Sequence, residues 1–193
     1  GYAALTANTT GTANTAVGTF ALDAATTAAN NTGIGYGALS ANTTGSSNTA
    51  CGYSTLNANI DGIFNVAFGK DTLLSNTSGS YNSAFGTFAM DASTGSYNTA
   101  IGYGSLSATT SANNNTAVGY LSLLSNTSGT SNTALGTSSL DAATTADNNT
   151  AVGRNAGTAV TTGSDNTIVG TFSGEDLTTG QQNTFLGYLA GAN

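Results

Sequence analysis

An Asn recurs every 17 residues along the whole chain, and a Gly follows each one four residues later. The Asn column is Asn14, Asn31, Asn48, Asn65, Asn82, Asn98, Asn115, Asn132, Asn149, Asn166 and Asn183. The Gly column is Gly18, Gly35, Gly52, Gly69, Gly86, Gly102, Gly119, Gly136, Gly153, Gly170 and Gly187. One step departs from the period: Asn82 to Asn98 spans 16 residues, which places a one-residue deletion in the turn between Ser93 and Tyr97. A period this short leaves no room for a helical hairpin, and its strictness is foreign to a globular enzyme. It specifies a solenoid in which each repeat is one coil stacked on the next.

Charged residues make up only 6% of the chain, and Pro, Trp and His are absent. Low charge with many small polar residues is also a signature of disorder. Disordered tracts, however, have no reason to hold Val, Ile, Leu and Phe in fixed columns, and this chain does. The net charge is −7, with only Lys70 and Arg154 opposing nine acids. Without a cationic surface to displace counterions, nucleic acid is excluded as a partner. No basic patch suits an anionic membrane surface, and no apolar run approaches the roughly 18 residues that span a bilayer. The chain opens and closes inside a repeat, at Gly1 and Asn193, so it is expected to be a fragment of a longer fibrous protein.

With the Asn as position 0, position 3 is apolar throughout: Val17, Ile34, Cys51, Phe68, Phe85, Ile101, Val118, Leu135, Val152, Val169 and Leu186. Position 2 is mostly Ala, and position 7 is always small. Position 8 is Leu or Met from Leu22 to Leu140. Thr, Val and Tyr alternating with Ala and Gly predict a strand over about positions 1 to 5. A second strand is predicted near positions 6 to 9, with Thr-Thr-Gly (Thr43-Thr44-Gly45) as the return turn. Stacked coils would pair each strand in parallel with its copies above and below, giving an all-β parallel solenoid. Two roles suit the Asn column: an amide ladder between coils, or an Asx turn bonded to its own backbone.

The dependable apolar residues of a coil, at positions 3 and 8, are then joined inside only by Ala and Ser, a thin core for one chain. A further stripe at position 5 or 6 (Phe20, Tyr36, Tyr53, Phe88, Tyr103, Tyr120, Phe172, Tyr188) also needs cover. Self-association about the rod axis supplies it. From Gly157 onward position 8 becomes Gly (Gly157, Gly174, Gly191), and an apolar residue enters position 11 (Val160, Leu177). One repeat array over 1–193 therefore divides into regular repeats, 1–148, and variant repeats, 149–193, where a narrower or reshaped end of the rod is expected.

The run Asn-Thr-Ala-Val-Gly-Tyr-x-x-Leu followed by Asn-Thr-Thr/Ser-Gly resembles the repeats of phage tail-fibre-like proteins. It is also similar to the shorter repeats in the β-roll heads of trimeric autotransporter adhesins. The resemblance covers all the repeats, though the adhesin repeat is shorter than this one. It implies a left-handed parallel β-roll packed as a homotrimer. It further implies a stiff, adhesive module of an extracellular fibre on a cell surface or virion, with a cell-surface receptor or glycan as the outside partner.

Chemistry is sparse. With no His and a single Cys, imidazole triads and thiolate or His metal sites are excluded. Cys51 occupies an apolar column and is expected to be filler. Glu175-Asp176 are adjacent acids on a turn, and Asp23, Asp91 and Asp141 share position 9 too sparsely for a cation ladder. Gly35-Tyr36-Gly37 lacks the Lys and helix of a phosphate loop. No catalytic, cofactor-binding or metal residue is predicted, and no enzyme. An ice-binding solenoid is the alternative, on the strength of the position 1 Thr column (Thr15, Thr32, Thr49 and onward). The surface aromatics are candidates for glycan contact or for burial in a seam between chains.

Overall fold

The structure, a computed structural model, describes residues 1–192. It is a parallel β-solenoid with one three-residue strand per coil and no helix among the described residues. The strands are β1 (Thr15–Val17), β2 (Thr32–Ile34), β3 (Thr49–Cys51), β4 (Val66–Phe68), β5 (Ser83–Phe85) and β6 (Thr99–Ile101). They continue as β7 (Thr116–Val118), β8 (Thr133–Leu135), β9 (Thr150–Val152), β10 (Thr167–Val169) and β11 (Thr184–Leu186). All eleven form one sheet in sequence order. Each position pairs with the same position of the next coil, as Thr15 with Thr32 and Val17 with Ile34.

The strand is shorter than the alternation suggests. It covers positions 1 to 3 and ends at the fixed Gly, whose φ lies near +135° (Gly119 at 139°), a region closed to side chains. A Cβ on Gly119 would come within 2.4 Å of the Gly136 carbonyl oxygen, so the Gly column also lets adjacent coils approach.

The predicted second strand is not formed. Positions 6 and 8 take positive φ instead: Phe20 at 58° and Leu22 at 53°, then Phe88 at 58° and Met90 at 53°. Such a conformation costs an L-residue about 1 kcal/mol. The compensation is directional hydrogen bonding. The position 6 amide donates to the coil before it, as Ser54 N–H to Tyr36 O at 2.8 Å, and the position 8 amide donates to the coil after it, as Leu56 N–H to Thr72 O at 3.0 Å. Alternation of backbone handedness thus lets a tight arc bond to both neighbours without forming a strand. At the return turn, Thr43, Thr44 and Gly45 N–H all point at Ile60 O.

The interior corrects the sequence expectation on a second point. Position 3 faces out: Val17 is 56% exposed, Phe68 39% and Leu135 46%. The strand residue that faces in is position 2, the Ala of Ala50, Ala67, Ala84 and Ala100, all fully buried. Opposite it stands the unbroken position 8 column from Leu22 through Met90 to Leu140. A coil this narrow has room for one large side chain per level, and Leu or Met takes it.

At the variant end the backbone does not change. Strands β9, β10 and β11 pair in the same register as the rest. What changes is which position fills the core. In the Gly157 coil position 2 is still Ala151; it becomes large in the two coils that follow (Ile168, Phe185), and Val160 and Leu177 enter from position 11. A Cβ on Gly157 would lie 2.9 Å from Ile168 Cδ1, and one on Gly191 would lie 2.3 Å from Phe185 Cε1. The volume removed at one wall is returned at the other, and the rod is refilled rather than reshaped.

The Asn column forms the ladder. Asn132 Oδ1 accepts the Asn149 amide N–H at 2.9 Å and the Asn149 Nδ2 at 3.1 Å, and Asn132 Nδ2 donates across the coil to Ala146 O at 2.6 Å. The same pattern runs from Asn14 to Asn183. At the short coil the cross-coil bond from Asn82 reaches Gly95, 13 residues on rather than 14, so the missing residue lies inside the turn and the ladder stays in step.

Candidate functional site

Side chains that leave the interior are sorted by the coil into long columns, so any site on this molecule is a stripe or a gap in one. The outer face of the sheet carries two, position 1 (Thr, with Val66 and Ser83) and position 3. Both project from the same side of each strand because side chains alternate with period 2. Cys51 sits in the outward apolar column, half-buried and unpaired, between Ile34 and Phe68. Phe68 and Phe85 stack there, ring centroids 5.3 Å apart. The Thr column that motivates ice binding shares its face with residues ranging from Cys to Phe, which makes a ridged surface rather than a flat Thr array.

The second stripe is aromatic and starts just past the fixed Gly. Tyr2, Phe20, Tyr36 and Tyr53 follow one another with centroids 5.3–5.8 Å apart. Lys70 continues the column, its Nζ 6.0 Å from the Tyr53 ring and 5.2 Å from Phe88. Phe88, Tyr103 and Tyr120 then carry it upward. At three of the four coils where position 5 is Thr (Thr19, Thr87, Thr171) the ring comes from position 6 (Phe20, Phe88, Phe172); at the fourth, Thr137-Ser138, there is none and the stripe is interrupted. Arg154 lies over Phe172 at 4.4 Å. Both basic side chains of the chain are therefore seated on rings, a favourable use of their charge. A shorter stack, Phe64–Tyr81–Tyr97, runs along position 16.

A second polar column escaped the sequence reasoning. Asn42, Asn59 and Asn76 at position 11 are buried and laddered, Asn59 Nδ2 to Asn42 Oδ1 at 2.7 Å and Asn76 Nδ2 to Asn59 Oδ1 at 2.9 Å. Each also donates to the Gly carbonyl three residues later, as Asn42 to Gly45 at 2.9 Å. The spacing Asn-x-x-Gly was its signal. Where the Gly is replaced by Ala (Ala28, Ala112, Ala146), position 11 is Ala25, Thr109 or Ala143, because a Cβ on Gly45 would lie 2.4 Å from Asn42 Oδ1.

The acids do not converge. Asp91 accepts from Ser107 Oγ at 2.6 Å and Asp141 from Thr158 Oγ1 at 2.7 Å, each one coil up. Glu175 is half-buried and Asp176 exposed. Among the described residues no group of three or more metal-ligating side chains comes together. One surface cavity stands out, about 360 Å³, bounded by Phe88, Asp91, Tyr103, Gly104, Ser107, Leu121 and Leu124.

Fold and surfaces define a parallel β-solenoid repeat protein. Comparison with protein-family models, with curated proteins and with solved structures finds no match.

Proposed function

We propose that the chain is a structural and adhesive module of an extracellular fibre, on a cell surface or virion, in which parallel copies pack along their outer sheet faces as a homotrimer. The outward position 3 column carries this reading. Taking about 200 Å² for a fully exposed large side chain, its members offer on the order of 700 Å² of apolar surface. That exceeds the roughly 300–600 Å² patch of an ordinary monomer and approaches the roughly 800 Å² per partner of a stable complex. The repeat makes the face self-complementary, because a parallel copy presents the same residues at the same height. Backbone bonds above and below every coil supply stiffness, over about 50 Å at roughly 4.8 Å per step.

Cys51 is a built-in reporter. In a parallel, in-register assembly the Cys51 thiols of neighbouring copies meet at one level. Sedimentation equilibrium should give three times the 18.8 kDa chain mass. Mild oxidation should join two chains of each trimer through Cys51 and leave the third free. A chain that sediments as a monomer at every concentration overturns the assembly.

A further inference from the structure

We infer that the cavity at Gly104 is a subsite for a single neutral pyranose ring of a glycan. It goes beyond the shaft role and lies within one chain, so it does not depend on the assembly. The cavity exists because position 6 is vacant at one level. Phe88 holds that position one coil below and Leu121 one coil above, while Gly104 between them has no side chain. Tyr103 stands beside the gap, its ring at 87° to that of Phe88 with centroids 5.8 Å apart. Position 9 supplies the opposite wall: Asp91, Ser107 and Leu124.

The chain contains its own control. The same arrangement occurs lower down, with Phe20 below, Tyr36-Gly37 at the level, and Asp23 and Ser40 along position 9. There the coil above carries Ser54 at position 6 and Asn57 at position 9, where the coil above Gly104 carries Leu121 and Leu124. The Asn57 Nδ2 donates to the Gly37 carbonyl at 2.9 Å, and a Cβ on Gly37 would lie 3.1 Å from the same nitrogen. The amide plugs the gap. At Gly104 the equivalent residue is Leu124, which makes no such bond; Leu121 Cδ2 leans over the glycine, where a Cβ would lie 2.8 Å from it, and the cavity lies outside that methyl, among Tyr103, Asp91, Ser107 and Leu124.

The lining matches the two-sided chemistry of a pyranose, which has an apolar C–H face and a rim of hydroxyls. Phe88, Tyr103 and Leu121 offer apolar and aromatic surface. Asp91 is already oriented through its Oδ1 by Ser107, which leaves Oδ2 to accept a sugar hydroxyl and the Ser107 oxygen to accept another. An organic cation is disfavoured because Lys70 already holds a face of Phe88 with its ammonium 5.2 Å from the ring. The size fits as well, since about 360 Å³ lies at the small end of the roughly 300–1,000 Å³ of ligand pockets.

The test is saturation-transfer NMR with the methyl glycosides of glucose, galactose, mannose, rhamnose and N-acetylglucosamine, and with tetramethylammonium, on the intact chain. At least one glycoside should receive saturation. Leu124→Asn, which replaces an apolar wall of the cavity with the amide the chain already folds around at Asn57, should weaken its binding at least tenfold. Tyr103→Thr, a residue found at the same position in other coils, should weaken it similarly. The proposal is overturned if no glycoside binds, if tetramethylammonium alone binds, or if Leu124→Asn leaves the signal unchanged. Sedimentation reads the assembly separately: a monomer that binds sugar refutes the trimer and keeps this subsite, and a trimer that binds none does the reverse.

Discussion

Two neighbouring rungs of the inner ladder should differ in cost when truncated, and the difference follows from one atom count. Asn132→Ala removes the acceptor of the Asn149 amide (2.9 Å) and the donor to Ala146 O (2.6 Å). No other hydrogen bond reaches that carbonyl among the described residues, because position 11 of its coil is Ala143. Two buried backbone groups are orphaned, at about 1–3 kcal/mol each, so the loss is about 4 kcal/mol. Asn115→Ala also orphans one amide, that of Asn132. The carbonyl it abandons, Gly129 O, keeps a second donor in Asn126 Nδ2 at 2.9 Å. Its cost should be about 2 kcal/mol by the same accounting. Both sites are interior coils of one array, so neighbour effects are matched. Urea unfolding followed by far-UV circular dichroism measures the two losses, and hydrogen exchange should show the Asn149 amide losing protection in Asn132→Ala. Equal losses in the two variants, or an Asn149 amide as protected as before, would refute the ladder energetics.

The Asn-x-x-Gly pair of position 11 should show coupling of opposite form. Gly129→Ala alone should destabilise, since its Cβ would lie 2.2 Å from Ala146 O, a backbone contact of the kind the Ala coils already accommodate, and 2.6 Å from Asn126 Oδ1. Adding Asn126→Ala recreates the Ala143/Ala146 arrangement and should recover about 1–2 kcal/mol in a double-mutant cycle of denaturation free energies. In the apolar column, Leu73→Ala should cost about 2–5 kcal/mol because the narrow interior cannot collapse around the void. Met90→Leu, which restores the residue used in the neighbouring coils, should stay within about 1.5 kcal/mol by thermal unfolding.

The period, the parallel in-register pairing and the structural use of the Asn and Gly columns were legible because backbone-dictated positions repeat without variation. What misled was the strand's phase. Period-2 alternation offers two faces, and large apolar residues at position 3 invite burial over Ala at position 2. The variation within each column carried the answer. Position 3 exchanges Cys51 for Phe68 in adjacent coils, a change of volume that a packed interior does not absorb. Position 8 holds Leu or Met until Gly157, and position 2 grows only from the next coil on, to Ile168, whose Cδ1 would lie 2.9 Å from a Cβ on Gly157, and then to Phe185. Two columns that trade volume share an interior. The positive φ of Leu22 and its counterparts was not legible, because Leu has no intrinsic preference for that region. Hydrogen bonding to coils on both sides imposes it.

The same logic separates frame from surface. The two columns that never vary, the position 0 Asn and the fixed Gly, are those in which an error in one coil is felt by two neighbours. Columns that leave the coil are free to vary, and their variation is patterned. A ring moves from position 5 to position 6 at Thr19, Thr87 and Thr171 but is dropped at Thr137-Ser138, Lys70 stands between Tyr53 and Phe88 in place of a ring, and Leu124 stands where Asn57 bonds the Gly37 carbonyl. A frame that can be copied without limit gives every coil an identical shape. Identity at a particular height along the rod is then written in single side chains of the outer columns. The levels of Gly37 and Gly104 share one arrangement, and the pair Ser54 and Asn57 against Leu121 and Leu124 in the coil above is what tells them apart.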